Sequence, residues 1–96
     1  MIAEREEFIL MAVLENSGSN WRPIMQTLRN WEYRCEADLL HSILDRLEKK
    51  GYLELISRGD GHEDKFWDVD VDGLNAIDQA RRQRATVQAS AGFAIC

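Results

Sequence analysis

The sequence predicts a mainly α-helical domain carrying one small two-stranded β-hairpin, and three observations predict it. Apolar residues recur at helical spacing as far as Gly51, the period then changes from about 3.6 to 2 over residues 52–71, and helical spacing resumes from Leu74. The 96 residues amount to one domain, since domains usually run to roughly 100–150 residues. The expected organisation is a folded unit over residues 1–87 followed by a flexible tail over 88–96, where Ala89, Ser90, Ala91 and Gly92 offer little to bury.

The first helix is expected over residues 4–15. Phe8, Ile9, Leu10, Met11, Ala12, Val13 and Leu14 make it apolar almost all round, so it is buried on more than one side. The second side faces either the domain's own interior or a partner subunit. Asn16, Ser17, Gly18, Ser19 and Asn20 form a turn-rich break, with Asn20 as a helix cap and Pro23 in the first turn of a short second helix over 21–30. Its Ile24, Leu28 and Trp31 lie on one face beside Met25. Trp21 and Trp31 read as walls or edges of the core rather than as platforms for stacked bases.

After a connector at residues 32–35, a third helix starts near Glu36, whose charge and that of Asp38 suit a helix N-terminus. Leu40, Ile43, Leu44 and Leu47 form its apolar stripe, and Glu48, Lys49 and Lys50 followed by Gly51 supply a basic last turn and a glycine stop. Strand-like residues 52–57, a Gly-rich charged loop at 58–65 and alternating residues 66–71 then form the hairpin. On its second arm Trp67, Val69 and Val71 are expected to face the third helix, with Phe66, Asp68 and Asp70 towards water. Asp72 is the expected cap of a fourth helix that carries Leu74, Ala76, Ile77 and Ala80 and a solvated row of Arg81, Arg82 and Arg84.

Twelve Lys and Arg against seventeen Asp and Glu give a net charge of −5, so the chain as a whole is no electropositive surface for phosphates or anionic membranes. Residues 51–72 alone hold seven acids and two bases. No apolar run reaches the roughly 18–20 residues of a membrane span, and the acidic start does not resemble a signal peptide, so a cytosolic location is expected. Cys35 and Cys96 are expected as thiols, Cys35 as a small half-buried residue. His41 and His62 have no second ligand at metal spacing, and no serine stands in a nucleophile elbow. Neither catalysis nor a cofactor is expected. Asp68, Asp70, Asp72 and Gly73 spell the opening of a calcium loop, but its closing position is Gln79, and Val69 and Val71 favour a strand. An acid-edged strand followed by a cap is the better reading.

The order helix, helix, helix, hairpin, helix resembles a winged helix-turn-helix. Leu44, Leu47, Gly51 and Tyr52 resemble the exit from its third helix into the wing. Val69, Val71, Gly73 and Ala76 resemble the ending of MarR-, PadR- and ArsR-like regulators. Residues 14–55 are also similar to small winged-helix proteins of Mu-like phages and prophages. The connector after the second helix is longer than in a compact helix-turn-helix.

The resemblance implies a prokaryotic or phage transcriptional regulator that binds double-stranded DNA as a homodimer through its first and last helices. Arg34, His41, Ser42 and Arg46 would contact groove and phosphates, and Arg58 and Lys65 would act from the wing. Asp38 and Asp45 share the outward face of the third helix, and Asp60, Glu63 and Asp64 outnumber the bases of the wing. These acids support an alternative, an acidic adaptor without DNA affinity that docks on a basic protein partner through Trp31, Trp67 or Tyr33.

Overall fold

A computed structural model of the chain describes the backbone of residues 2–95 and the side chains of residues 2–84. The elements run α1 (Glu4–Glu15), α2 (Trp21–Asn30), α3 (Ala37–Lys49), β1 (Leu53–Ser57), a 3₁₀ turn (His62–Asp64), β2 (Lys65–Val69) and α4 (Val71–Ile95). The mainly helical, winged-helix class read from the sequence is the observed one. Cys96 and the side chains of the expected tail lie outside the described residues.

Helix α1 is central because it has apolar residues on every side. It packs against α2, α3, α4 and β2, and Ile9, Leu10 and Val13 meet Ile24 and Leu28 of α2 and Leu40, Leu44 and Leu47 of α3 in one core. Leu14 remains 42% exposed at its C-terminal end. Two carboxylates also enter the interior from α1. Glu6 reaches back to the Ala3 N–H at 3.1 Å and out to Lys50 Nζ at 3.1 Å, and Glu7, 4% exposed, is clasped by the Arg84 guanidinium of α4. Arg84 thus stays exposed in the solvated row expected for it and is also the structural partner of a buried acid.

The helix boundaries have local causes. The Asn20 side chain accepts the Arg22 N–H at 3.0 Å and starts α2. Both α2 and α3 stop in the same hydrogen-bonded C-terminal motif. After α3, the Tyr52 N–H donates to Leu47 O and the Gly51 N–H to Glu48 O, with Gly51 at φ 82°. After α2, Tyr33 and Glu32 donate to Leu28 O and Arg29 O, but the left-handed position is held by Glu32 at φ 59°. This turn compacts the connector between α2 and α3.

The hairpin is antiparallel, with Leu53 opposite Val69, Leu55 opposite Trp67 and Ser57 opposite Lys65. Its apolar face is shared among several helices and does not rest on α3 alone. β1 leaves α3 by a short turn and stays against it, which carries β2 across to α1 and α2. The loop before α2 joins the sheet, with the Gly18 N–H donating to Trp67 O and the Trp67 N–H to Ser19 O, both at 2.9 Å. Trp67 is thus fixed from both sides and buried.

At the end of β2 the helix starts earlier than expected. The Leu74 N–H donates to Asp70 O at 2.9 Å, the first helical bond, so Asp70 occupies the cap position and Asp72 lies in the first turn. Val71 becomes the first helical residue and is 65% exposed, not part of the strand face. Gly73, Ile77 and Ala80 turn inward together, and that phase leaves Leu74 43% exposed. Gly73 is required there. A Cβ would collide with the Tyr52 carbonyl oxygen and lie 2.8 Å from Val69 Cγ1.

Candidate nucleic-acid interface

Helix α3 is a short rod fixed at both ends, with Leu40, Ile43, Leu44 and Leu47 buried. Its opposite side carries the exposed Asp38, Ser42 and Lys49 and the half-exposed Asp45. Ser42 and Lys49 are seven residues apart and lie on one stripe. Lys49 was missed in the sequence because it was read as part of a helix-ending basic turn. Counting at about 100° per residue from Ser42 places it on the outward face.

Four of the six candidate residues fall on two flanks of that stripe. His41 and Arg46 are about 140° apart around the helix. On one flank, Arg46 lies beside Tyr33 and Leu39 in a groove with the N-terminus of α1, and Arg34 lines an adjoining groove with Arg29, Tyr33, Cys35 and Leu39. On the other flank, His41 and Lys65 are close enough for their charges to interact. Ser42 lies on the stripe between the flanks. Arg58 stands apart, with its guanidinium 5.4 Å from the Phe66 ring centroid.

The wing loop folds back on the helices. The Arg58 N–H donates to Asp64 O and the Asp64 N–H to Gly61 O, closing the 3₁₀ turn. That turn is held on α2 by an ion pair of Glu63 with Arg22, whose Nε lies 3.0 Å from the carboxylate, and by the Asn20 amide on Glu63 O at 3.4 Å. It is held on α3 by His62, whose ring stacks on His41 with centroids 3.6 Å apart and planes 9° from parallel. Trp21 presents an edge-on contact to the same His41 ring at 5.2 Å, and the Arg22 guanidinium lies 5.0 Å from the centroid of Trp21. The two histidines read as isolated in the sequence are therefore partners. No local spacing signals this, because the contact depends on the return of the wing.

Burial and the neighbouring His62 push the His41 imidazole below its ordinary value, against Asp38 and Asp45, which favour its proton. Burial pushes the Cys35 thiol up, and Cys35 is a free, half-buried thiol as expected. Asp68 lies in β2 and accepts the Ser17 hydroxyl at 2.6 Å, while Asp70 accepts the Val71 N–H at 2.7 Å. Among the described residues no group of three or more His, Cys, Asp or Glu is arranged to hold a metal ion. Among them also no helix is long and apolar enough to cross a membrane.

No family model and no curated protein matches the sequence. Solved structures do match its shape. A PadR family transcription regulator from hypervirulent Clostridium difficile superposes with a TM-score of 0.73 at 12% identity, covering 95% of this chain and 98% of that one. A PadR-like transcription factor from Bacteroides fragilis gives 0.72 at 17% identity, over 93% and 91% of the two chains. A transcriptional regulator from Clostridium thermocellum gives 0.71 at 18% identity, over 96% of each. The chain has a PadR-like winged-helix fold.

Proposed function

We propose that this PadR-like winged-helix chain is a non-enzymatic, cytosolic transcriptional regulator of prokaryotic or phage origin that presents α3 to the major groove of duplex DNA. The observation that carries the reading is the match to transcription regulators over more than nine-tenths of both chains, with α3 in place and its outward side uncovered. Ser42, Arg46 and Lys49 supply donors for base edges and phosphates on that side. Arg34 flanks them, His41 and Lys65 flank the other edge, and Arg58 supplies a cation from the wing.

The regulator acts as a homodimer built on α1 and α4. Leu14 and Trp31, 42% and 37% exposed, line a groove with Met11, Glu15 and Arg81 where the C-terminal ends of α1 and α2 meet α4, apolar surface that a second copy would cover.

Titration of the purified protein into labelled duplexes tests the reading, one random and one from the promoter beside its own gene, each at two salt concentrations. Tighter, salt-sensitive binding to the promoter supports it, with the salt slope counting the phosphates neutralised. Arg46→Ala should weaken specific binding by about 1–3 kcal/mol. Absence of binding at low salt favours the second reading, an acidic adaptor. That reading is supported by Asp38 and Asp45 on the outward stripe and by the Glu63 carboxylate that neutralises Arg22. A basic protein partner would dock on this face, and pull-down with and without added salt would reveal it.

A further inference from the structure

We propose that the wing turn is an acid-released latch, in which the His41–His62 stack holds residues 59–64 closed over the start of α2 and the side of α3, and protonation of His41 frees them. The proposal concerns the conformation of the wing and stands whether or not the chain binds DNA.

Three contacts close the turn, and they differ in kind. The Arg22–Glu63 pair is exposed on both partners, 61% and 60%, so water screens it and it contributes little. The Asn20 amide bond to Glu63 O is long at 3.4 Å. The ring stack is the close contact, 3.6 Å between nearly parallel rings, with Trp21 against the outer edge of the pair. Two neutral imidazoles at that distance attract by dispersion, whereas a charged His41 ring would sit half-buried against its neighbour, where its charge is disfavoured.

The charges around the stack come from every element that meets it. Asp38 and Asp45 face His41 from α3 and draw a proton to it, Lys65 opposes them from β2, Arg22 stands beyond Trp21 on α2, and Glu63 adjoins His62 on the turn with its charge taken by Arg22. Burial and His62 outweigh the two aspartates at His41, so the closed form disfavours its proton. The open form binds that proton nearer the ordinary value of about 6.5. The sign follows by linkage. The latch is at full strength above about pH 6.5 and weakens as the pH falls from there through the depressed value of His41, below which no further loss occurs.

Release would uncover Trp21, part the already exposed Arg22 from Glu63 and add a positive charge at His41 to a face whose wing is acidic. Nearby Arg58 and Asp64 would lose the backbone bond that closes the loop. The transition is thus local, since Trp67 and Leu53 remain held by the sheet and the core.

Nuclear magnetic resonance at pH 7.5 and pH 5.5 tests this on the whole chain. The expected result is an inter-ring nuclear Overhauser contact between His41 and His62 at the higher pH that disappears at the lower one. Alongside it, the protection of the Arg58 and Asp64 amides, corrected for the intrinsic rate at each pH, should fall at least about threefold, while the Trp67 and Leu53 amides keep theirs. His41→Phe, which retains a ring that cannot take a proton, should keep its contact with His62 at both pH values. Persistence of the wild-type contact at pH 5.5 would overturn the proposal, and so would its loss in His41→Phe. Simultaneous loss of Trp67 and Leu53 protection would also overturn it, because the change would then be global.

Discussion

Glu32 holds the left-handed position after α2 that Gly51 holds after α3, although both turns make the same pair of hydrogen bonds. A side chain in that conformation costs roughly 1–2 kcal/mol relative to its preferred region, part of which glycine would return to the unfolded state as lost entropy. Glu32→Gly should therefore raise the stability by about 1 kcal/mol, read as a higher urea midpoint with unchanged slope. Gly73 is the opposite case. Gly73→Ala must push the start of α4 off the Tyr52 carbonyl and should cost about 1–3 kcal/mol in the same assay. The glycine could be read from the sequence as part of a family-like ending, but the carbonyl that makes it necessary belongs to the far side of the hairpin.

At the scale of elements, the four helices and the hairpin were legible because each carries its own period and its own stop signal. Ile24 and Leu28, or Leu40, Ile43, Leu44 and Leu47, need no knowledge of their neighbours to declare a face. What depends on neighbours was not legible. Strand alternation ran on to Val71 because the phase of α4 is set by Gly73 against Tyr52, and the pairing of Arg84 with Glu7 was hidden because the two are distant in the chain. The α1–α4 clasp can be tested directly. Arg84→Ala leaves the Glu7 carboxylate buried without its guanidinium, and since Arg84 is itself about half exposed the cost should be about 1–3 kcal/mol. Glu6 links α1 to the end of α3 in a way that pH can reach. Burial alone would raise its carboxyl, but the Ala3 N–H, Lys50 and Arg46 hold it below the usual carboxylate range. Its contribution is complete above about pH 4.3 and is lost as the pH falls through the depressed value. Glu6→Gln should flatten that part of the acid-unfolding profile, as followed by circular dichroism.

For the whole molecule, the competing facts are a regulator-like fold and an excess of acid on the side that would meet DNA. The candidate residues were found by chemistry and helical position, and the structure sets Arg34 and Arg46 on one flank, His41 and Lys65 on the other, Ser42 between them and Arg58 apart, a division that linear spacing could not show. The His41–His62 contact was equally invisible, since it arises only when the loop returns to α3. If α1 and α4 form the dimer, Leu14→Glu should convert it to a monomer, seen as a halved mass in sedimentation equilibrium, with the core amides unaffected. The most direct measurement for the central claim is a titration of ¹⁵N-labelled protein with unlabelled promoter duplex at low and high salt. The account predicts shifts concentrated in residues 38–49 and 58–65 that diminish as salt is added. An unchanged spectrum at low salt, or shifts confined to α1 and α4, would contradict it.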